Sequence, residues 1–226
     1  MYGFRFDVIW PYLPYMSKGV LTTLLVTGGS IGIGLVLGLV VALCRLSKHP
    51  ILSLPARIYI EFFRNIPTLV KLVWVFYLIP IVIGVQLSAL TSAVLAMGVA
   101  AAAFIAETFR AGIQDIPRGD IEAAQAIGMT PRQVMRRIVL PQAIRKMIPP
   151  MANIFIIFLK YSSLVSILGV GDLLYRANVI STTTFRPLEA YTVVAVFYFV
   201  LCYGLSMGLQ YLERLMALDV QDDSPE

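Results

Sequence analysis

Apolar residues run in five long blocks separated by polar segments, and the block lengths set the fold class. A bilayer-crossing helix needs about twenty mostly apolar residues. Stretches at about 19–44, 57–83, 88–110, 148–169 and 189–213 meet that requirement. Between the third and fourth lies a polar segment of different character, at about 111–147, whose centre runs from Asp120 through Ile-Glu-Ala-Ala-Gln-Ala-Ile-Gly-Met-Thr-Pro to Pro141. It reads as a short helix, a break and a second short helix. Asp120 suits an N-cap, Gly128 the left-handed residue after the first helix, Thr130 the next cap, Pro131 the first position and Pro141 a stop. The pattern predicts an all-α polytopic membrane protein of about five spans, built as one transmembrane domain over residues 1–226.

Composition agrees. With 58% apolar and 14% charged residues and a mean hydropathy of +0.81, a chain of 226 residues is too hydrophobic for a soluble globule and too long for a single anchor. The net charge of +5 would suggest nucleic acid only if the basic residues clustered on a soluble domain. Here they flank the spans. With the N-terminus outside, the inner side receives Arg45, Lys48, Arg57, Arg110, Arg118, Arg132, Arg136, Arg137, Arg145, Lys146 and Arg214, and the outer side only Arg5, Lys18, Arg176 and Arg186. That bias places the polar segment and the acidic tail from Asp219 to Glu226 on the cytoplasmic side of a cell membrane. The first residues lack a basic region with a cleavage site, so the first span itself is expected to direct insertion.

Cys44, Cys202 and His49 show no paired or metal-ligand spacing, so no disulfide and no metal site is expected. No Ser-His-Asp set or pair of carboxylates in a soluble cleft is visible, so the chain reads as non-catalytic. Tyr2, Phe4, Phe6, Trp10, Tyr12 and Tyr15 form either an amphipathic segment in the outer interface or an ordered tail packed on its own protein. Gly28 with Gly32, Gly34 with Gly38 and Gly204 with Gly208 permit close helix approach, by default within the subunit. No strand precedes these glycines and no Gly-Lys-Ser/Thr follows, so they form no phosphate loop.

Five charges fall within or at the ends of spans: Glu61, Arg64, Lys71, Glu107 and Lys160. Each would cost about 2.5–3.5 kcal/mol at the bilayer centre if unpaired, so each must face protein or water. Lys160 lies about 18 Å past Ile148 along a helix, near mid-membrane, and Lys71 is similarly deep. Glu61 with Arg64 and Glu107 with Arg110 sit three apart on a helical face and can pair. Lys160, with Lys71, suits a binding site for a substrate carboxylate; the more ordinary reading is an interhelical ion pair or a lysine bonded to carbonyls. The deep charges sum to one positive, which favours neutral or anionic substrates.

The polar segment admits three readings. Ala124, Gly128 and Val134 have helix-turn-helix spacing and the second helix is basic, but a third helix has little room beside the bilayer. An inert connector would explain the arginines, but not the Glu122-Ala123-Ala124 run, whose small residues favour seating in another protein's groove.

The third reading rests on resemblance. Glu122-Ala123-Ala124, Gly128 and Leu140-Pro141 resemble the signature loop of permease subunits of bacterial ATP-binding cassette (ABC) importers. Phe63-Arg64-Asn65-Ile66-Pro67, Ala106 to Ile113, Leu140-Pro141-Gln142-Ala143 with Pro149-Pro150, and Leu159-Lys160-Tyr161-Ser162-Ser163-Leu164 are similar to the polar amino acid branch. The resemblance implies a type I importer permease in a bacterial inner membrane. Its partners would be a cytoplasmic ABC ATPase dimer, a second identical or homologous permease subunit and a periplasmic or extracellular amino acid-binding protein. It implies no cofactor of the chain's own, since ATP and Mg would be bound by the ATPase. It assigns ATPase docking to Asp120, Glu122, Ala123, Ala124, Ala126, Gly128 and Met129. Lys160, Lys71, Ser162, Ser163, Glu107 and Arg64 become a candidate path for a polar amino acid. The chain departs from the branch at Gly119-Asp120, where Gly-Gln is usual, at Tyr161, where aspartate is usual, and at Lys71, near which glutamine is usual.

Overall fold

In a computed structural model of the chain, residues 3–221 are described, with side chains for 3–211. Tyr2, the side chain of Arg214 and those of the acidic tail lie outside the described residues. Two short 3₁₀ turns, Phe6–Val8 and Trp10–Tyr12, lead into α1 (Leu13–Leu46). Next come α2 (Pro50–Asn65), α3 (Thr68–Ile83) and α4 (Ala89–Gln114). The polar segment holds α5 (Arg118–Ala126) and α6 (Pro131–Val134). A π turn, Met135–Val139, leads into α7 (Leu140–Tyr161), which a 3₁₀ stretch, Ser162–Leu168, extends. The last helices are α8 (Leu173–Thr184) and α9 (Pro187–Gln221). No strand occurs among the described residues.

The first, third, fourth and fifth predicted spans are the long helices α1, α4, α7 with its 3₁₀ extension, and α9. The second, expected as one rod over about 57–83, is broken: α2 and α3 meet at 111°. Pro67 is the cause. It has no N–H to continue a helix, and it forces Ile66 into extended backbone at φ −90°, ψ 137°.

The α1–α4 pair is the packing centre, and glycine allows it. A Cβ on Gly34 would sit 2.8 Å from the Ala101 Cβ, and one on Gly38 would sit 2.8 Å from Ile105 and 3.0 Å from the Ala102 carbonyl oxygen. Opposite them, α4 presents Ala100, Ala101, Ala102 and Ala103, all fully buried. These small residues bring the backbones close enough for dispersion and tight packing to hold the pair where lipid offers no hydrophobic drive. The intrasubunit reading holds for Gly34 and Gly38. It fails for Gly28, Gly32, Gly204 and Gly208, which have nothing within 4 Å of where a Cβ would stand.

At the end away from α5, buried Ile9 packs with Met16, Leu173, Ala177 and Ala190. The Arg5 amide donates to Glu189 Oε1 at 3.0 Å, and Arg186 donates to the Gly3 carbonyl at 3.1 Å. The N-terminal segment is thus packed on its own protein, while Phe4 and Trp10 keep exposed faces. Buried Asp172 caps α8, accepting from the Leu174 and Tyr175 amides and, at 3.3 Å, from the Tyr198 hydroxyl. Burial pushes its carboxyl up to about 6, against the opposing pull of those amides.

Gly38→Val should lower the thermal unfolding midpoint in detergent, with an overpacking cost of about 1–3 kcal/mol, because the new methyls meet Ile105 and the α4 backbone. Gly204→Val, in open space, should leave the isolated chain's midpoint near wild type. Equal shifts for both would refute the packing argument.

Candidate functional site

The polar segment folds into a compact foot. Helix α5 starts at Arg118, behind Pro117. Asp120 is therefore its third residue and not the expected N-cap, because Pro117 already holds the non-helical backbone that an N-cap needs. Its carboxylate instead accepts from Gln142 Nε2 at 3.0 Å, joining α5 to α7. The helix ends as expected: Gly128 has φ +85°, its amide donates to the Gln125 carbonyl, and the Met129 amide donates to Ala124, a Schellman closure. Thr130 and Gln133 form a full capping box over α6, with Pro131 in the first turn.

Pro141 does not stop the second helix. The helical path runs through it, because the Leu140 amide bonds back five residues to Met135, and this wider π turn accommodates the proline one residue on. Pro149 and Pro150 likewise lie within α7. The foot therefore continues into a membrane-length helix.

Ala124 is buried with Ile116, Val134, Val139, Ala143 and Met147, and Met129 packs on this cluster. Glu122, Ala123 and Ala126 face outward. The sequence reading missed Ile127, whose side chain stands 79% exposed beside them. Its available signal was a large apolar residue immediately before a helix-ending glycine. Lys146 Nζ, also missed, reaches from α7 to the Asp115 carbonyl at 2.8 Å and its carboxylate at 2.7 Å. Gly112 completes the contact, since a Cβ there would lie 2.5 Å from Met147 Cγ.

The six candidate path residues do not converge on one site. Lys160 and Ser163 line a cavity of about 710 Å³ between α7 and α9, with Ile156, Tyr198, Cys202 and Tyr203. Here α7 gives way to the 3₁₀ stretch. The Ser162 hydroxyl donates to the Leu159 carbonyl at 2.7 Å and that of Ser163 to the Lys160 carbonyl at 2.8 Å, so both satisfy backbone at the break.

Lys71 lies elsewhere, 3% exposed, with Nζ donating to the Phe63 carbonyl at 2.7 Å. It crosses the α2–α3 corner and occupies a carbonyl of the last turn of α2, the carbonyl-bonded alternative raised for it above. Lys71 and Arg64 both stand over the Phe104 ring, at 5.9 and 5.8 Å from its centre. Arg64 makes no ion pair with Glu61 among the described residues: Glu61 accepts from Asn65. Glu107 does pair with Arg110, whose Nε donates at 2.9 Å, and it lies near the foot.

These features define the class: a helical, multi-pass membrane protein with a folded foot between two spans. The chain matches the family described as "Binding-protein-dependent transport system inner membrane component" over residues 34–217, and it belongs to that family. It is thus a transport permease subunit of the inner membrane and not itself an enzyme. The family entails an ATPase partner and an external binding protein. The chain is 39% identical over 92% of its length, and 94% of the relative's, to the Bacillus subtilis protein named "Probable glutamine ABC transporter permease protein GlnM". It is 32% identical over 95% of its length, and 99% of the relative's, to the "Glutamine transport system permease protein GlnP" of Escherichia coli strain K12. A chain from the "Crystal structure of an amino acid ABC transporter with histidines" superposes with a TM-score of 0.90, at 36% identity over 94% of this chain and 99% of that one.

Lys71→Met keeps the apolar stem but strands the Phe63 carbonyl at the corner. It should cost about 1–3 kcal/mol, read as a lower unfolding midpoint in detergent. An unchanged midpoint would show that the corner does not need the ammonium.

Proposed function

We propose that the chain is the pore-forming subunit of an ATP-driven importer of polar amino acids, and that α5 is the helix on which the ATPase seats. The carrying observation is the division of α5 into two faces. Ala124 locks it to the protein's own core, and Glu122, Ala123, Ala126 and Ile127 stand outward with small side chains around one exposed apolar tip. Small residues admit a partner's backbone closely, and Ile127 supplies apolar area for a pocket. Asp120, Gly128 and Met129 hold the helix from its sides and end.

In this reading the foot is cytoplasmic, the N-terminus lies outside and the C-terminus inside. Two permease subunits, identical or homologous, stand over an ATPase dimer that binds ATP and Mg. A loaded amino acid-binding protein engages the opposite face. Closure of the ATPases on ATP draws the two α5 helices together and opens the pore outward, and hydrolysis resets it. Each partner biases one shared equilibrium between inward-open and outward-open states.

The polar amino acid class rests on the relatives' names and on the Lys160 cavity. The Lys160 ammonium suits a substrate carboxylate beside the Tyr198 and Tyr203 phenols, with Ser163 in the wall. Lys71, seated on the Phe63 carbonyl, is better suited to holding the corner than to meeting substrate.

Ile127→Asp and Glu122→Lys should each abolish co-purification of the ATPase while leaving the permease's unfolding midpoint within about 0.5 kcal/mol of wild type, as substitutions at exposed positions do. Retention of the ATPase by both would refute the docking assignment. In vesicles containing the whole transporter, Lys160→Gln should weaken uptake roughly 10- to 100-fold through loss of one charge-assisted contact. Unchanged uptake and substrate preference would remove Lys160 from the path.

A further inference from the structure

Three contacts hold the first turns of α7, one to α5 and two to the end of α4. Gln142 Nε2 holds the Asp120 carboxylate on α5 at 3.0 Å. Lys146 Nζ holds both the Asp115 carboxylate and the Asp115 carbonyl, where α4 ends. Between them Met147 and the Ala143 carbonyl abut Gly112 of α4 so closely that no Cβ fits. Gln142, Ala143, Lys146 and Met147 share one helical face by their spacing. The far end of that helix carries Lys160, eighteen residues beyond Gln142 or about 27 Å at 1.5 Å per residue.

An exposed ion pair contributes little to stability, and Lys146 is 40% exposed. This lysine does something an ordinary surface pair does not. By taking the carbonyl at the end of α4 as well as the carboxylate, it pins the point where α4 turns into α5 to a fixed position on α7. Asp120 also bonds across helices, through its carboxylate alone, whereas Lys146 takes both a carboxylate and a backbone carbonyl at the end of another helix. Arg110 pairs within α4, and Arg132, Arg136 and Arg137 face outward.

We infer that the Lys146–Asp115 clasp, with the Gln142–Asp120 bond beside it, makes the end of α4, α5 and the lower half of α7 one rigid body. Displacement of the docking helix then reaches the Lys160 cavity through α7. Lys146 and Gln142 are positioning residues for coupling, acting through the helices they join. The inference rests on the proposed importer function and goes beyond it by naming the transmitting helix and its fasteners. It also accounts for the passage through Pro141, since a helix broken there would separate the foot from the span above it.

The test uses the complete transporter, with its ATPases, in liposomes supplied with loaded binding protein, and reads amino acid taken up per ATP hydrolysed. Lys146→Met with Gln142→Leu should lower that ratio roughly three- to tenfold while the ATPase remains bound and hydrolysing, and Lys146→Arg should retain it. In a second chain, with Cys44 and Cys202 replaced by serine, Asp115→Cys and Lys146→Cys should lower the ratio while both thiols are free, and a short bismaleimide across them should restore it. The inference is overturned if the ratio is unchanged in the Met/Leu variant, or if cross-linking stops uptake, since the clasp would then have to open in each cycle. Failure of the importer reading looks different: the wild-type complex would accumulate no amino acid on addition of ATP.

Discussion

Every other feature of this chain depends on one constraint: a backbone carbonyl or amide left unpaired at membrane depth costs several kcal/mol, so each interruption of a helix must be repaired locally. Three interruptions among the described residues, two in the spans and one in the foot, are repaired in different ways. At Pro67 the chain turns through 111°, and the Lys71 ammonium takes the Phe63 carbonyl. Before Pro141 the helix widens into a π turn. At Tyr161 it tightens into a 3₁₀ stretch whose serine hydroxyls return to the Leu159 and Lys160 carbonyls. In each case the repair decides what neighbouring side chains are free to do. Lys71 is occupied by its carbonyl, whereas Lys160, one residue before a break mended by serines, lines the cavity.

How far the sequence could be read follows from the range of the forces involved. Four of the five spans and the caps at Gly128, Thr130 and Pro131 are local consequences of chain chemistry, and they appear in the structure as expected. What a proline does is not local. Pro67 breaks a span and Pro141 does not, because the first sits where a lysine one turn on can close the corner and the second follows a stretch able to relax to i→i−5 bonding. Asp120 misled for a similar reason: Pro117 already held the capping backbone, leaving the carboxylate for Gln142, twenty-two residues away. The twelve-residue helix α8 escaped because it is too short to register as a span, although Asp172 before Leu173-Leu174-Tyr175 is a capping signal.

The candidate site was legible in the same uneven way. The outward set of Glu122, Ala123 and Ala126 lies on one short helix whose type and termination follow from its own residues. The fasteners that hold this helix to the rest of the protein join positions up to thirty-one residues apart, and no periodicity reports them. Six residues, four of them charged, looked like one path in the sequence, because depth along a helix can be counted whereas rotation about its axis cannot. The structure distributes them among a corner, a ring face, a local ion pair and a cavity.

Packing finally constrains where movement is possible. The most apolar window of α4 is 61% buried and that of α9 only 6%. The α1–α4 contact is made of glycine and alanine at backbone distance, and sliding one helix past the other would drive Ile105 into the Gly38 backbone. Closely packed interfaces of this kind shift between discrete arrangements and do not deform smoothly. In the proposed transport cycle the α1–α4 contact is therefore the stiffest part of the subunit, and the α7–α9 side, where the cavity lies and α9 is little buried, is the part with room to move. In the proposed coupling the foot is bound to α7 as well as to the end of α4, so its displacement reaches that side through α7.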